Sequence, residues 1–384
     1  MLRGFTVAVL IASCAGCALW AQNTNDLPKG KVIDVVICKA DKNQSYALYL
    51  PSNYSADRKW PVLLAFDPRA RGDMPVGRYQ AAAEKFGWIV AGSNNSRNGP
   101  AKFSLDAAKA METDVEARFS VDPKRLYATG QSGGARFAID LVGSSKDKFA
   151  GVIPSSAGWP PGAGGGLELP FVVFGTAGTE DFNYLEITRT DRVLDTPHRI
   201  RIFEGGHTWP PSEVAVEALE WMEIQAMRTG TRPRDEAMID RVFNARKAEL
   251  AAKTDLGEQY YANKEIAADF KGLRAVSEFA AKAEEMTNSK AVIDAVRKHI
   301  QTDMDESQLD AEILNWSDQL DNEAERAEMM EKLSGVLHKL GADAHQAQDS
   351  PDRRKARRIL SGVMADNASR QDAEYRKLLD EVKP

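Results

Sequence analysis

Short apolar runs, rich in β-branched and aromatic residues, alternate with helical patterns between residues 31 and 228 of this 384-residue chain. Several of the runs are almost continuously hydrophobic, which is typical of parallel strands buried on both faces. Strands that alternate with connections of this size predict a doubly wound α/β domain with a mostly parallel sheet. The predicted strands are 32–37, 46–50, 61–66, 88–91, 125–129, 150–154, 170–174 and 198–203. The predicted helices are 78–86, 104–119, 132–142, 184–194 and 212–227.

The pattern changes after residue 228, where the chain reads Thr-Gly-Thr-Arg-Pro over residues 229–233. Beyond this joint come stretches rich in Ala, Glu, Lys and Arg with apolar residues at helical spacing. Pro233 ahead of an acidic first turn predicts a helix start. Residues 256–286 predict a helical hairpin of tetratricopeptide-like size, although the 34-residue repeat signature does not fit cleanly. We therefore predict two domains, an α/β domain over residues 30–230 and an all-α domain over residues 233–384.

The first 21 residues predict a secretory signal, with one positive charge at Arg3, a short apolar run and then small residues. The apolar run is far shorter than the ~20 residues needed to cross a bilayer. Two interpretations of the processing stay open. Cys14 lies in a lipobox-like sequence and would become a lipid anchor, or ordinary cleavage near residue 18 or 21 would remove it. In either case we expect an exported protein that is periplasmic, anchored to the envelope or secreted.

Composition and charge exclude several classes of protein. There are 50 Lys and Arg against 56 Asp and Glu, and a net charge of −6 argues against nucleic-acid binding because it does not offset phosphate repulsion. Three cysteines are too few for a disulfide scaffold, and without a Cys/His cluster we expect no structural zinc site. Cys38, within an apolar run, is predicted to be a buried free thiol. We expect neither a metal nor a cofactor.

The most informative motif is Gly-Gln-Ser-Gly-Gly at residues 130–134, which lies between a predicted strand and a predicted helix. A sharp strand-to-helix turn holds a nucleophile in a strained conformation, and it requires flanking glycines because a Cβ there would clash. Ser132 is therefore the candidate nucleophile. The start of the following helix presents the Gly133 N–H to a developing oxyanion.

A serine needs a base, and only His198 and His207 lie in the predicted α/β domain. His198 opens a strand, whereas His207 follows the last strand in a glycine-containing loop, so His207 is the candidate base. The acid should follow the strand at 170–174, where Asp181 is the first candidate and Glu180 the second. The chain order Ser132, Asp181, His207 is that of the α/β-hydrolases.

These motifs resemble the α/β-hydrolase superfamily, and in particular the secreted esterases grouped with polyhydroxybutyrate depolymerases, feruloyl esterases and dienelactone-hydrolase-like proteins. The resemblance rests on residues 130–134, on Gly175-Thr176 ahead of Asp181, and on Gly-Gly-His-Thr-Trp-Pro at residues 205–210. It covers about residues 32–227. It implies an α/β-hydrolase fold, with a doubly wound and mostly parallel sheet, ahead of the helical region.

One segment departs from that family. Many relatives have a His-Gly-x-Gly loop that supplies the second oxyanion donor, whereas this chain has Phe-Asp-Pro-Arg-Ala-Arg-Gly at residues 66–72. Pro68 has no N–H, so the Arg69 backbone N–H is the candidate second donor. Trp159 and Trp209 are candidate substrate-binding residues, or they pack as ordinary loop aromatics. Only a short loop rich in Gly and Pro joins the predicted strands at 150–154 and 170–174. Because no large lid is inserted there, we expect an open cleft.

We therefore expect an exported serine esterase that uses Ser132, His207 and Asp181. By analogy with the family, we expect its substrate to be a hydroxycinnamoyl, acetyl or short hydroxyacyl ester of extracellular polymer fragments. Two alternatives stay open. The first is a serine peptidase or acyltransferase with the same triad. The second is a helical-repeat binding protein of the envelope, with the hydrolase domain as a scaffold and a protein partner for the helical domain. Contact with a membrane is expected only through a lipid on Cys14.

Overall fold

The computed structural model describes residues 27–145, 147–159 and 165–384. The predicted signal segment, with Cys14, lies outside the described residues. An eight-stranded sheet forms the centre of the first half of the chain. Its strands are β1 (Val32–Ile37), β2 (Ser45–Tyr49), β3 (Trp60–Phe66), β4 (Ile89–Ser93), β5 (Val121–Gln131), β6 (Gly151–Ser155), β7 (Val172–Gly178) and β8 (His198–Phe203).

The strands lie in the order β1-β2-β4-β3-β5-β6-β7-β8. Strand β2 is antiparallel to both of its neighbours, and the ladders from β4 to β8 are parallel. All eight predicted strands are present, and this order confirms the predicted α/β-hydrolase fold. Because parallel strands share one carboxyl edge, the loops after β3, β5, β7 and β8 meet at that edge.

Helices cover both faces of the sheet, so the domain is doubly wound. The helices of this half are α1 (Asp73–Phe86), α2 (Ala101–Arg118), α3 (Gly133–Ser144), α4 (Tyr184–Thr188), α5 (Thr190–Val193) and α6 (Ser212–Arg228). Apolar residues of α2 and α3 pack on one face of the sheet, and those of α1 and α6 on the other. The single helix predicted at 184–194 is two short helices that meet at Arg189. Cys38 is buried and free, as predicted.

The rest of the chain is helical in the described residues, as its sequence predicts. It contains α7 (Glu236–Ala252), α8 (Leu256–Asp269), α9 (Ser277–Thr287), α10 (Lys290–Gln319), α11 (Arg326–Ala344), α12 (Pro351–Asp366) and α13 (Ala373–Glu381). The Asp235 carboxylate caps α7 by accepting a hydrogen bond from the Met238 N–H at 3.0 Å. The lengths of these helices vary widely, and a true tetratricopeptide-like repeat stays a prediction.

Two apolar clusters hold the helical half together. The first joins the end of α6 to α7, α8 and α9 through Ile224 and Met227, so the joint after residue 228 is packed. The second lies among α10, α11, α12 and α13, with Leu333 and Leu360 fully buried. Within the described residues, none of the helices is long and apolar enough to span a membrane.

Candidate active site

Ser132 occupies the sharp turn between β5 and α3, as the motif predicts. Its backbone has φ 55° and ψ −124°, a conformation that L-residues rarely adopt. The turn is fixed by hydrogen bonds on both sides. The Ser132 N–H donates to Ser155 O at 2.9 Å, and Ser132 O accepts from the Ala135 N–H at 2.9 Å. The first N–H of α3, that of Gly133, has no partner along the helix and is available to an anion.

The flanking glycines are required by close backbone packing. A Cβ on Gly130 would lie 2.0 Å from Gly134 O, and a Cβ on Gly134 would lie 2.0 Å from Phe66 O. Any side chain at either position would therefore push α3 away from β5 or β3. The motif thus brings the start of α3 against the carboxyl ends of two central strands, which lifts Ser132 above the edge of the sheet.

Asp181 and His207, the candidate acid and base, are in hydrogen-bond contact. His207 Nδ1 lies 2.8 Å from Asp181 Oδ1, and the Asp181 side chain is completely buried. The same oxygen accepts from the Asn183 N–H at 2.9 Å, which fixes the carboxylate. The Phe182 ring stacks on the imidazole with 3.9 Å between centroids. This arrangement holds the His207 ring and directs its other nitrogen away from Asp181.

The geometry separates Asp181 from Glu180, the second candidate acid. Glu180 turns to α12, where Arg357 Nη1 donates to its carboxylate at 3.1 Å and Arg353 lies 3.6 Å away. In the structure Ser132 Oγ and His207 are not joined by a hydrogen bond within the described residues. Such contacts are often long in free enzymes and shorten when a substrate binds.

The loop after β3 is organised by the buried carboxylate of Asp67. It accepts from Arg71 at 2.9 and 3.0 Å, from Trp209 Nε1 at 2.8 Å and from the Arg69 N–H at 2.8 Å. Burial alone would raise the pKa of Asp67, but these hydrogen bonds outweigh it and hold that pKa below its ordinary value. Asp67 thus links the β3 loop to the loop that carries His207.

This network corrects the prediction for Arg69. Its backbone N–H, predicted as the second oxyanion donor, is already given to Asp67 Oδ1. The Asn98 side chain lies beside Gly133, since a Cβ on Gly133 would lie 1.9 Å from Asn98 Oδ1 and 3.3 Å from Nδ2. The Asn98 N–H donates to Pro68 O at 2.9 Å, which ties this residue to the β3 loop.

Both candidate substrate-binding tryptophans pack in the apolar clusters on the faces of the sheet. Trp209 is 2% exposed, packs in the core with α1 and α6, and donates to Asp67. Trp159 packs against the cluster on the opposite face of the sheet and does not line the Ser132 cleft. The buried position of Trp209 does not fit contact with a substrate, whereas substrate contact by Trp159 stays a prediction. A tryptophan close to a catalytic residue in sequence can equally support the loop from below.

Ser132 lines a cleft of about 510 Å³, and the helical half of the chain forms the far wall of this cleft. The near wall contains Arg136, Phe182 and Arg189, and the far wall contains residues of α10 and α12. The sequence predicts an open cleft within the α/β domain, and the structure adds a wall from the helical region that follows it. The lining residues of the far wall are Glu306, Ser307, Asp310, Ala311, Leu314, Arg358, Ile359, Gly362 and Asp366.

Acidic groups on the far wall face one another across two helices. Partial burial of Asp310 removes water from its carboxylate, and the negative charges of Asp366 and Glu306 lie nearby. Together these effects raise the pKa of Asp310 to about 6. Glu306 is neutralised by Arg358, whose Nε and Nη2 donate to its two oxygens at 2.7 and 2.6 Å. The negative charge of this wall therefore increases as the pH rises through about 6.

Several residues of the site carry weak or no signals in the sequence. Phe182 and Asn98 are single residues in loops, and nothing around them marks a role. A stronger signal was present in α12, where the sequence Arg-Arg-Lys-Ala-Arg-Arg at 353–358 places arginines on one helical face. Among the described residues, no group of three or more His, Cys, Asp or Glu side chains is arranged to hold a metal ion.

No protein-family model and no curated protein matches this sequence. Solved structures match about half of the chain. The fluorophosphonate-binding serine hydrolase F of Staphylococcus aureus is 16% identical, with a TM-score of 0.40, over 51% of this chain and 99% of its own. An S-formylglutathione hydrolase of Agrobacterium tumefaciens is 13% identical, with a TM-score of 0.39, over 50% and 92%. A ferulic acid esterase is 18% identical, with a TM-score of 0.38, over 49% and 95%. Similarity this low says nothing about chemistry, so the functional argument rests on this chain's own residues.

The link between Trp209 and Asp67 can be tested through stability. Trp209→Phe removes a hydrogen bond to a buried carboxylate, whereas Trp159→Phe makes the same change in ring size without that loss. We expect Trp209→Phe to lower the free energy of unfolding by roughly 1.5–3 kcal/mol more than Trp159→Phe does, measured by urea denaturation at neutral pH. Equal losses would show that the Trp209 hydrogen bond contributes nothing.

Proposed function

We propose that this chain is a serine hydrolase that cleaves carboxylic esters through an acyl-enzyme. The observation that carries the proposal is the Asp181–His207 hydrogen bond, at 2.8 Å, beside a cleft that exposes Ser132 on a strained turn. A serine hydroxyl is a weak nucleophile unless a base, itself oriented by a third group, takes its proton. The three roles are filled by residues from three loops at one edge of the sheet.

The reaction would proceed in two halves. Ser132 Oγ attacks the ester carbonyl while His207 takes the hydroxyl proton, and Asp181 stabilises the imidazolium that results. The tetrahedral intermediate collapses, the alcohol leaves with the proton from His207, and the acyl group stays on Ser132. Water then attacks the acyl-enzyme, with His207 again as base, and the carboxylic acid is released.

The oxyanion would be bound by the Gly133 N–H and by the side-chain amide of Asn98. Since the Arg69 N–H is given to Asp67, the side-chain amide of Asn98, which lies beside Gly133, is the candidate second donor. The Asn98 side chain makes no hydrogen bond within the described residues, so either orientation of its amide is accessible and the NH₂ group can face the oxyanion. Side-chain amides serve this role in other serine hydrolases.

The expected location and substrate complete the proposal. The signal sequence over the first 21 residues supports export, to the periplasm, the envelope or the medium. A cleft of about 510 Å³ lies in the range of small-molecule sites. We propose a hydroxycinnamoyl, acetyl or short hydroxyacyl ester as substrate. Peptide and acyl-transfer chemistry would use the same triad, and amide substrates or added alcohol acceptors separate them from hydrolysis.

The nucleophile can be tested by covalent labelling. We expect a fluorophosphonate to modify the mature protein at Ser132 at neutral pH, because phosphonylation requires an activated hydroxyl. Mass mapping identifies the labelled residue. Ser132→Ala should abolish labelling, and His207→Ala should slow it strongly. A folded wild-type protein that is neither labelled nor active on an ester panel would contradict the proposed function.

The identity of the acid can be tested by a pair of neighbouring amide substitutions. We expect Asp181→Asn to lower kcat for an activated ester about 10⁴-fold, because the amide no longer stabilises the imidazolium. Glu180→Gln should lower kcat less than about tenfold, since a partly exposed ion pair contributes about 1 kcal/mol at most. Circular dichroism of both variants checks the fold. The reverse ranking would assign Glu180 as the acid.

The role of Asn98 can be tested by removing its donor. We expect Asn98→Ala and the isosteric Asn98→Asp both to lower kcat by about 10²–10³-fold with little change in KM, because the donor acts mainly in the transition state. Arg97→Ala, in the same loop, is the control and should stay near the wild-type rate. Near-wild-type kcat in Asn98→Asp would rule out donation by this side chain.

A further inference from the structure

The arginines of α12 face the two catalytic loops. Arg353 and Arg357, and likewise Arg354 and Arg358, are four positions apart and are therefore neighbours on one face of the helix. Their carboxylate partners are Glu180 and Glu204 of the α/β domain, Glu306 of α10, and Asp349 just ahead of α12. This basic helix face therefore contacts acidic groups on both loops of the proposed acid–base pair.

The residues just before Asp181 are held directly by this face. Arg358 Nη1 donates to the backbone oxygen of Thr179 at 2.8 Å, and Arg357 Nη1 donates to the Glu180 carboxylate at 3.1 Å. A bond to a backbone oxygen fixes the position of the chain itself rather than that of one flexible side chain. Both contacts lie within two residues of Asp181.

The residues just after Asp181 are held by the same helix. A Cβ on Gly362 would lie 3.3 Å from the Phe182 Cβ, so α12 packs closely against the ring that stacks on His207. The Arg358 guanidinium lies 4.4 Å from the centre of the Tyr184 ring. Helix α12 thus contacts both flanks of the triad acid.

The loop that carries His207 is joined to this assembly. The Glu180 N–H donates to Gly205 O at 2.8 Å, so the acid loop and the base loop move together. Arg354 Nη2 also donates to Glu204 at 2.9 Å. The Glu204 side chain is 77% exposed, so this last pair contributes little by itself. The backbone contact carries the coupling.

Arg358 is itself rigidly placed. Its guanidinium makes a two-point contact with Glu306 of α10, and the side chains of Arg358 and Glu306 are 12% and 6% exposed. Two-point guanidinium–carboxylate contacts define geometry as well as energy. Helix α10 is also tied to the α/β domain, since Arg192 Nη2 donates to Asp303 at 2.7 Å. The contact to Thr179 therefore comes from a fixed framework.

From these contacts we propose that α12 is a positioning element of the triad, with Arg358 as its principal positioning residue. It holds the segment from Thr179 to Tyr184 so that Asp181 and His207 keep their hydrogen bond while Ser132 reacts. The proposal rests on the proposed function, and it gives the helical half a role inside the active site rather than at a distant binding surface. Displacements of about 1 Å at reacting groups can lower the rate about 10²-fold, so contacts that prevent such displacements support catalysis.

The test compares two arginines of the full-length chain. Arg358 contacts one carboxylate twice and one backbone oxygen. Arg326 likewise contacts Asp372 twice and Leu320 O at 3.2 Å, and it also donates to Glu374 at 2.9 Å. Arg326 lies in the helical half and has no contact with the acid loop among those described. Arg326→Met therefore removes at least as many ionic contacts as Arg358→Met, away from the acid loop.

We expect Arg358→Met to lower kcat for a small activated ester by roughly 10–100-fold and to slow fluorophosphonate labelling of Ser132 by a similar factor. Arg326→Met should change both rates less than threefold at the same loss of stability. A residue that only bound substrate would alter KM and leave labelling by a small probe unchanged. Arg358→Met that labels and turns over like Arg326→Met would overturn the proposal.

A second pair covers the case in which Arg358→Met does not fold. Gly362→Ala adds a Cβ against Phe182, whereas Gly335→Ala adds one in α11 where nothing lies within 4 Å. Both changes favour a helix, so neither should destabilise the chain by loss of propensity. We expect Gly362→Ala to slow labelling at least threefold relative to Gly335→Ala, and equal rates would overturn the proposal. Wild-type protein that neither labels nor hydrolyses esters would instead mean that the proposed function fails.

Discussion

The strained turn at Ser132 is the constraint around which the rest of the structure is arranged. A positive φ at a serine is tolerated because α3 packs against β5 and β3 at backbone distance, which Gly130 and Gly134 alone permit. That packing fixes where the hydroxyl stands and which way the first N–H of α3 points. All other groups of the site are then brought to this point from loops at the same edge of the sheet, and each loop needs its own support.

The supports are polar contacts between loops rather than apolar packing. The Asp67 carboxylate accepts hydrogen bonds from the β3 loop and from Trp209. The Asp181 carboxylate contacts His207 Nδ1 and accepts a hydrogen bond from its own loop. Buried carboxylates are costly unless they are hydrogen-bonded, so each of them requires a defined arrangement of its neighbours, although Asp181 Oδ2 has no partner among the described residues. Helix α12 supplies the next shell of such contacts from a different part of the chain.

The fold and the hydrogen bond between the candidate residues Asp181 and His207 were predictable from sequence, whereas the surroundings of these residues were not. The central strands are buried on both faces and are continuous apolar runs, while the edge strands β1 and β8 are rich in β-branched residues, so all eight appeared in the pattern. The motifs around Ser132, Asp181 and His207 reflect local backbone requirements that one sequence displays. Arg69 and Trp209 were misassigned because their partner, Asp67, is reached through tertiary contacts that spacing does not reveal. The wall formed by α10 and α12 was missed for the same reason, although the arginines at 353–358 are visible in the sequence.

The long sequence separation of the α12 contacts has a consequence for the order of events in folding. Arg357 and Arg358 lie 177 and 179 residues after the groups they hold in the acid loop. Ser132, Asp181 and His207 are all synthesised well before α12. The loop that carries Asp181, however, gains its contacts with Arg357 and Arg358 only when α12 docks. Contacts of such separation form late, because the chain between them must be closed first. The α/β half can therefore acquire its sheet as an early unit, while a fully ordered triad marks the completion of the whole chain.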